Sequence, residues 1–314
     1  MQRVGFVGIP GIDSTVEQIL HRGACEVALW CPEELDGDIE FDGPVVDLEQ
    51  LSDIPLIVLS TSIGNCRQLA RRIGDVISGQ HVLMHTIRGV EEGTLNTASR
   101  IFHDETPTRR IGFVTGPMRL DDVREGLPGA ALCASRFPEV HELVEEAMMT
   151  RRFRVYHSPD LFGAELAATY GRLVALISGV ARGLGLGLSL EATIFSRGLA
   201  EMGRFVAAME GQEPTAFGLA GAGNLYVDIN DESDVDFQMG RFLAETTGDR
   251  AQKLVDNFEV AAREILAIAD SFAQAGRRAG TDLHLLDAIS AVLVAGRPLD
   301  DALEDLMGLP ALPE

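Results

Sequence analysis

Apolar residues recur in short continuous runs through the first half of the chain and at helical spacing through the second. Arg3-Val4-Gly5-Phe6-Val7-Gly8 reads as a buried strand, and after the turn Pro10-Gly11 the segment Ser14 to Arg22 sets Val16, Ile19 and Leu20 on one helical face. A second strand is expected at Cys25 to Trp30. The alternation returns with Leu56 to Leu59, a helix around Cys66 to Ile77, then His81 to His85, Arg110 to Val114, Ala130 to Ala134 and Phe153 to Tyr156. Apolar strands alternating with helices predict a mostly parallel sheet covered on both faces. Beyond Ser158-Pro159-Asp160 the strand signal fades, and stretches rich in alanine, leucine and glycine predict helices to the C-terminus. The expected architecture is α/β followed by all-α, with a parallel-sheet domain over 1–160 and a helical domain over 161–314.

A length of 314 residues suits two domains of ordinary size. Acidic residues outnumber basic ones 48 to 26, for a formal charge of −22, and such a field repels phosphate backbones and anionic lipid. Nucleic acid and membrane are therefore excluded as expected partners. No cleavable signal follows Met1-Gln2-Arg3, and the most apolar later stretch, Leu173 to Leu190, is interrupted by Arg182. The four cysteines, Cys25, Cys31, Cys66 and Cys133, match neither zinc nor redox spacing, so they are expected to be buried thiols of a cytoplasmic protein, with no metal site. Lys253 is the only lysine. Any mechanism that needs a lysine elsewhere is excluded.

Asp228 to Asp236, DINDESDVD, is the strongest polar interruption of the helical half. It lacks the glycine turn and terminal glutamate of a calcium loop, so a solvated acidic surface able to meet a basic protein partner is expected.

The segment Phe195 to Leu225, FSRGLAEMGRFVAAMEGQEPTAFGLAGAGNL, is very similar to the signature of the bacterial NAD-dependent glycerol-3-phosphate dehydrogenases, roughly TRGLAEM, a glycine and proline turn, then GLAGLGDL. In the same order stand IRGVEEGT at Ile87 to Thr94, TGP at Thr115 to Pro117, FRVYHSPD at Phe153 to Asp160 and FGAEL at Phe162 to Leu166. The resemblance covers essentially the whole chain. It implies a Rossmann-like dinucleotide-binding domain followed by a helical substrate and dimerisation domain, and a homodimer.

Against that family the chemistry-bearing positions differ. A dinucleotide loop needs three glycines, for the tight turn, for close approach to the pyrophosphate and for helix packing. Here Gly8 holds the first position, Pro10 the second and Asp13 the third, with Gly11 displaced beside Pro10. Proline adds a ring and removes an N–H. Ser14-Thr15-Val16-Glu17 then spells a capping box, whose carboxylate competes with an anion at the helix start. No bound cofactor is expected from this loop; NAD(P) is implied if the dehydrogenase reading holds.

The family's GGALKN motif carries the lysine that acts as acid/base and the asparagine that fixes substrate. Aligning FGAEL without gaps puts Gly171 at the lysine and Arg172 at the asparagine. A guanidinium rarely releases a proton near neutral pH. Arg88 replaces the lysine of the KGIE-like turn, Asn224 the aspartate of GLAGLGDL, and Asp228 the threonine four residues on. Where the resemblance implies an arginine cluster for phosphate, the chain reads Asp234-Val235-Asp236-Phe237-Gln238-Met239-Gly240. Unpaired carboxylates in such a place would cost several kcal/mol. His85 lies near Arg88, but a lone histidine at a strand end is more often a structural hydrogen-bonder than a base. These substitutions lead to the expectation of a non-catalytic relative with a binding or regulatory role. The alternatives are an NAD(P)-dependent oxidoreductase of changed specificity, or a divergent glycerol-3-phosphate dehydrogenase.

Overall fold

The computed structural model describes residues 2–8, 14–23, 25–32, 41 and 43–308. Two compact units divide them, one of residues 1–89 with 96–166, the other of residues 90–95 with 167–314.

The first unit is a seven-stranded sheet in the order β2-β1-β3-β4-β5-β6-β7. Its strands are β1 (Gln2–Gly8), β2 (Cys25–Trp30), β3 (Leu56–Ser60), β4 (Val82–His85), β5 (Ile111–Thr115), β6 (Gly129–Ala134) and β7 (Phe153–Ser158). All neighbours pair parallel except β5 with β6, which run antiparallel with Val114 opposite Cys133. Strand alternation sorts the apolar side chains onto two covered faces. Val4, Phe6, Val58 and Met84 pack under α1 (Ser14–Arg22) and α5 (Pro138–Met148), while Val7, Ile57, Leu59 and Leu83 pack under α2 (Ile63–Gly74) and α3 (Ala98–Glu105). α4 (Leu120–Glu125) ends on Gly126 in the left-handed region. Both faces are apolar because both are covered, and this is why the strands read as continuous runs.

The second unit is helical: the body of α6 (Leu161–Gly183), then α7 (Leu188–Ala208), α8 (Asn224–Asn230), α9 (Val235–Glu245), α10 (Arg250–Ala279), α11 (His284–Leu293) and α12 (Leu299–Gly308). α6 is long and apolar enough to cross a membrane, but 83% of that window is buried within the protein. The polar stretch 228–236 is no single loop: it closes α8, turns, and opens α9. Cys25, Cys66 and Cys133 are buried thiols, and burial pushes Cys133 up to about 12; Cys31, expected to be buried with them, is only half-buried.

Candidate functional site

In the first unit the candidate residues sit at the ends of β1 and β4. Gly8 closes β1 with φ +151°, and a Cβ there would stand 2.0 Å from the Ser60 carbonyl oxygen, so only glycine fits where the two strands run together. Pro10, Gly11 and Asp13 lie outside the described residues, as does the side chain of Ser14 to which the capping role was assigned. Glu17 is described and buried, and burial raises its carboxyl above the usual range. In the sequence, Pro10 has no N–H to offer and Asp13 and Glu17 are acidic.

His85 is fully buried at the end of β4. Its Nε2 lies 2.9 Å from Ser99 Oγ and 3.3 Å from Glu165 Oε1, and its ring stacks on Phe113 with centroids 5.0 Å apart. Glu165, the acid of FGAEL, accepts from Thr97 Oγ1 at 2.8 Å and from the Ser99 amide at 3.0 Å. The group is a buried polar brace between β4, the start of α3 and the first turns of α6. Arg88 follows β4 and is half-buried.

In the second unit the helices bring Arg172 and Asp236 together. Arg172 is buried and donates from Nε to Asp236 Oδ2 at 2.8 Å, from Nη2 to Asp236 Oδ1 at 3.1 Å, and from Nη1 to Glu264 Oε2 at 2.9 Å. Burial opposes its charge, yet Asp236 and then Glu264 outweigh that, holding the guanidinium protonated well above its usual range. Two expectations from the sequence need correction. Asp228 and Asp236 are buried, at 8% and 1% exposure, so the segment 228–236 is not one exposed acidic surface. Nor is Asp236 an unpaired charge, since its compensating arginine comes from α6. Only Glu232 among the segment's acids is exposed, and it pairs with Arg182 and Arg241; Asp234 caps α9 by accepting from the Phe237 amide.

Gly171 is buried, and a Cβ there would stand 3.8 Å from Met202 Cε, an ordinary contact distance. Asn224 opens α8 after a wide helical turn over Leu219–Gly223 and donates Nδ2 to the Ala220 carbonyl at 3.0 Å. Asp228 lies one turn further along α8. Sequence reasoning missed Glu264. The signal was available: on α10 it sits in the stripe of Ala262, Ile265 and Ile268, where a carboxylate needs a buried partner. It also missed Glu201 of α7, which is buried, accepts from the Leu285 and Leu286 amides at the start of α11 and from Tyr170 Oη at 3.1 Å, and is raised above the usual carboxylate range by burial.

Comparison with known proteins places this architecture. The family model for the NAD-dependent glycerol-3-phosphate dehydrogenase C-terminus matches residues 160–304, and that for the N-terminus matches residues 43–141. A glycerol-3-phosphate dehydrogenase [NAD(P)+] of Desulfitobacterium hafniense is 33% identical over 202 residues, which span 64% of this chain and 57% of that protein. One of Clostridium perfringens is 25% identical across 98% of this chain and 97% of its own length. The crystal structure of glycerol-3-phosphate dehydrogenase from Coxiella burnetii superposes with a TM-score of 0.85 at 21% identity, covering 98% of this chain and 99% of that one, a likeness of fold. The two family models together span most of the chain, in the order in which its two parts fold: the chain belongs to the NAD-dependent glycerol-3-phosphate dehydrogenase family.

Proposed function

We propose that this member of the family has lost the hydride transfer between glycerol 3-phosphate and a nicotinamide nucleotide and serves as a binding or regulatory protein on the retained fold. One observation carries the reading. At the aligned position of the family's acid/base lysine stands Gly171, and the neighbouring cation, Arg172, is saturated by Asp236 and Glu264. Oxidation of a secondary alcohol requires a group that takes the hydroxyl proton as hydride leaves. Gly171 has none, and a buried guanidinium held by two carboxylates neither releases its proton nor turns to a substrate phosphate. His85 cannot substitute, because it is sealed against Ser99, Glu165 and Phe113. The loop chemistry of Pro10 and Asp13 supports weak nucleotide binding at best.

The second reading, an oxidoreductase acting on an uncharged or cationic alcohol, draws on the acids Asp228 and Asp236 that stand where the resemblance implies a phosphate site. Two measurements decide between them. The purified protein is expected to oxidise no glycerol 3-phosphate and reduce no dihydroxyacetone phosphate above a mock preparation, and NADH or NADPH is expected to leave the fluorescence of Trp30 unquenched. Trp30 is the only tryptophan and ends β2 beneath Arg72, whose guanidinium carbon lies 5.0 Å from the ring centroid. Turnover overturns the proposal; quenching without turnover on glycerol 3-phosphate favours the second reading. Pro10→Gly with Asp13→Gly should recover nucleotide binding before any activity.

A further inference from the structure

A small cleft on the first unit stands apart from the charge of the rest of the chain. It encloses about 320 Å³ and its lining includes Arg22, Arg151 and Arg152 but no carboxylate, in a chain where acidic residues outnumber basic ones 48 to 26. Its inner wall is apolar, with Ile19 and Phe153 exposed by only 2% and 7%.

The local structure ties down two of the three exposed guanidinium groups and fixes the backbone that carries the third. Arg22 ends α1 and donates to the Arg124 carbonyl at 2.6 Å, and Arg152 donates to the Gly126 carbonyl at 3.0 Å. Gly126 takes φ +70°, and a Cβ there would stand 3.1 Å from Arg22 Nη1, so its bare backbone leaves room for that guanidinium. Thr150 Oγ1 accepts from the amides of Arg152 and Phe153, fixing the turn that presents Arg151. Among the described residues none of the three arginines is in an ion pair, and each keeps N–H donors beyond those used. Leaving three cations without carboxylates on so acidic a molecule is an arrangement that an anion would complete.

We propose that this cleft binds a small phosphate monoester with an apolar body. The guanidinium fork matches phosphate oxygens in pairs, the apolar wall takes the organic group, and the volume is that of a small-molecule pocket. The site is distinct from the dinucleotide loop: Arg22 lies eight residues, about 12 Å, along α1 from its first residue.

The test is titration calorimetry on the full chain at low ionic strength with phenyl phosphate, inorganic phosphate, benzoate and phenol, paired with amide NMR. Phenyl phosphate should bind most tightly and shift the amides of Gly126 and of Thr150 to Phe153. Arg151→Gln and Arg22→Gln should each weaken it by roughly tenfold, with the effect shrinking at high salt. Arg151 is exposed, so the fold of its variant, checked by circular dichroism, should be unchanged. Absence of phenyl phosphate binding overturns the proposal, as does equal binding of phenol or benzoate. Undiminished binding to both variants, or amide shifts elsewhere in the chain, also overturns it by placing the ligand at another site. None of these readouts depends on dehydrogenase activity, so the outcome is separate from that of the function proposed above.

Discussion

At the scale of single residues, Arg172 and Asp236 show how a carboxylate that looks unpaired in the sequence is accommodated in a sheltered position. A carboxylate in a sheltered position is costly when alone, and an alignment shows only that an acid has arrived. The structure supplies the partner 64 positions earlier in the chain, held by two parallel hydrogen bonds. A buried charge cluster of this kind stabilises little over an apolar replacement, but removing one member is expensive because it strands the others. Arg172→Met strands both Asp236 and Glu264 and should cost about 4 kcal/mol in urea unfolding, whereas Asp236→Asn leaves Arg172 its bond to Glu264 and should cost roughly half as much. Equal, negligible losses would show that the cluster is solvated and the arginine free. The same reasoning reverses what the acidic run suggests by itself, since neutralising all of Asp228 to Asp236 removes a buried partner as well as surface charge.

At the scale of elements, the meeting of Arg172 with Asp236 depends on how closely α6 and α9 approach. A Cβ on Gly240 would stand 2.0 Å from the Leu176 carbonyl oxygen, one on Gly179 2.1 Å from the Phe237 carbonyl oxygen, and one on Gly183 2.6 Å from the Ala244 Cβ. The two helices therefore touch backbone to backbone. Gly240→Ala should force them apart and cost about 3 kcal/mol by overpacking. Gly171→Ala meets nothing closer than 3.8 Å and should raise stability by about 0.5–1 kcal/mol through helix propensity alone. Chemical denaturation of the two variants checks the contrast, and a destabilised Gly171→Ala would mean that Met202 cannot accommodate the added methyl. Strand and helix positions in the first unit were legible because period and burial coincide there. The reversed direction of β6 was not, because a strand's sequence does not record which way its neighbour runs. The helix crossing was also hidden: glycines in a helical stretch read as weak points until the facing backbone is seen.

At the scale of the whole molecule, the family and the two-part architecture could be read from the sequence, since a long signature in fixed order survives drift at individual sites. The brace of His85, Ser99, Thr97 and Glu165, and the arginine cleft, could not, because each joins residues whose separation in sequence carries no period. Net charge was legible, and its effect on stability can be separated from that of particular pairs. Glu105 lies between Arg67 and Arg71, and hydrogen bonds from Arg71 and then Arg67 hold its carboxyl down to about 2, from an ordinary value of 4.5. A carboxyl depressed in the folded state contributes stability that is complete above its unfolded value and is lost as pH falls towards the folded one. Glu105→Gln should therefore flatten the part of the acid limb between pH 4.5 and about 2 in thermal scans while leaving the rest in place. The remaining charge acts in the opposite sense at neutral pH, where 22 excess negative charges repel one another over distances that salt can screen. Raising NaCl from ~0.01 to ~0.15 M shortens the screening length from about 30 to about 8 Å, well inside the size of the molecule. The Tm at pH 7 should rise across that range for the parent and for Glu105→Gln alike, since the added ions relieve a repulsion to which no single pair is essential. A Tm that falls with salt would mean instead that exposed pairs such as Arg182 with Glu191, and Arg241 with Glu232, outweigh the net charge in holding the helices together.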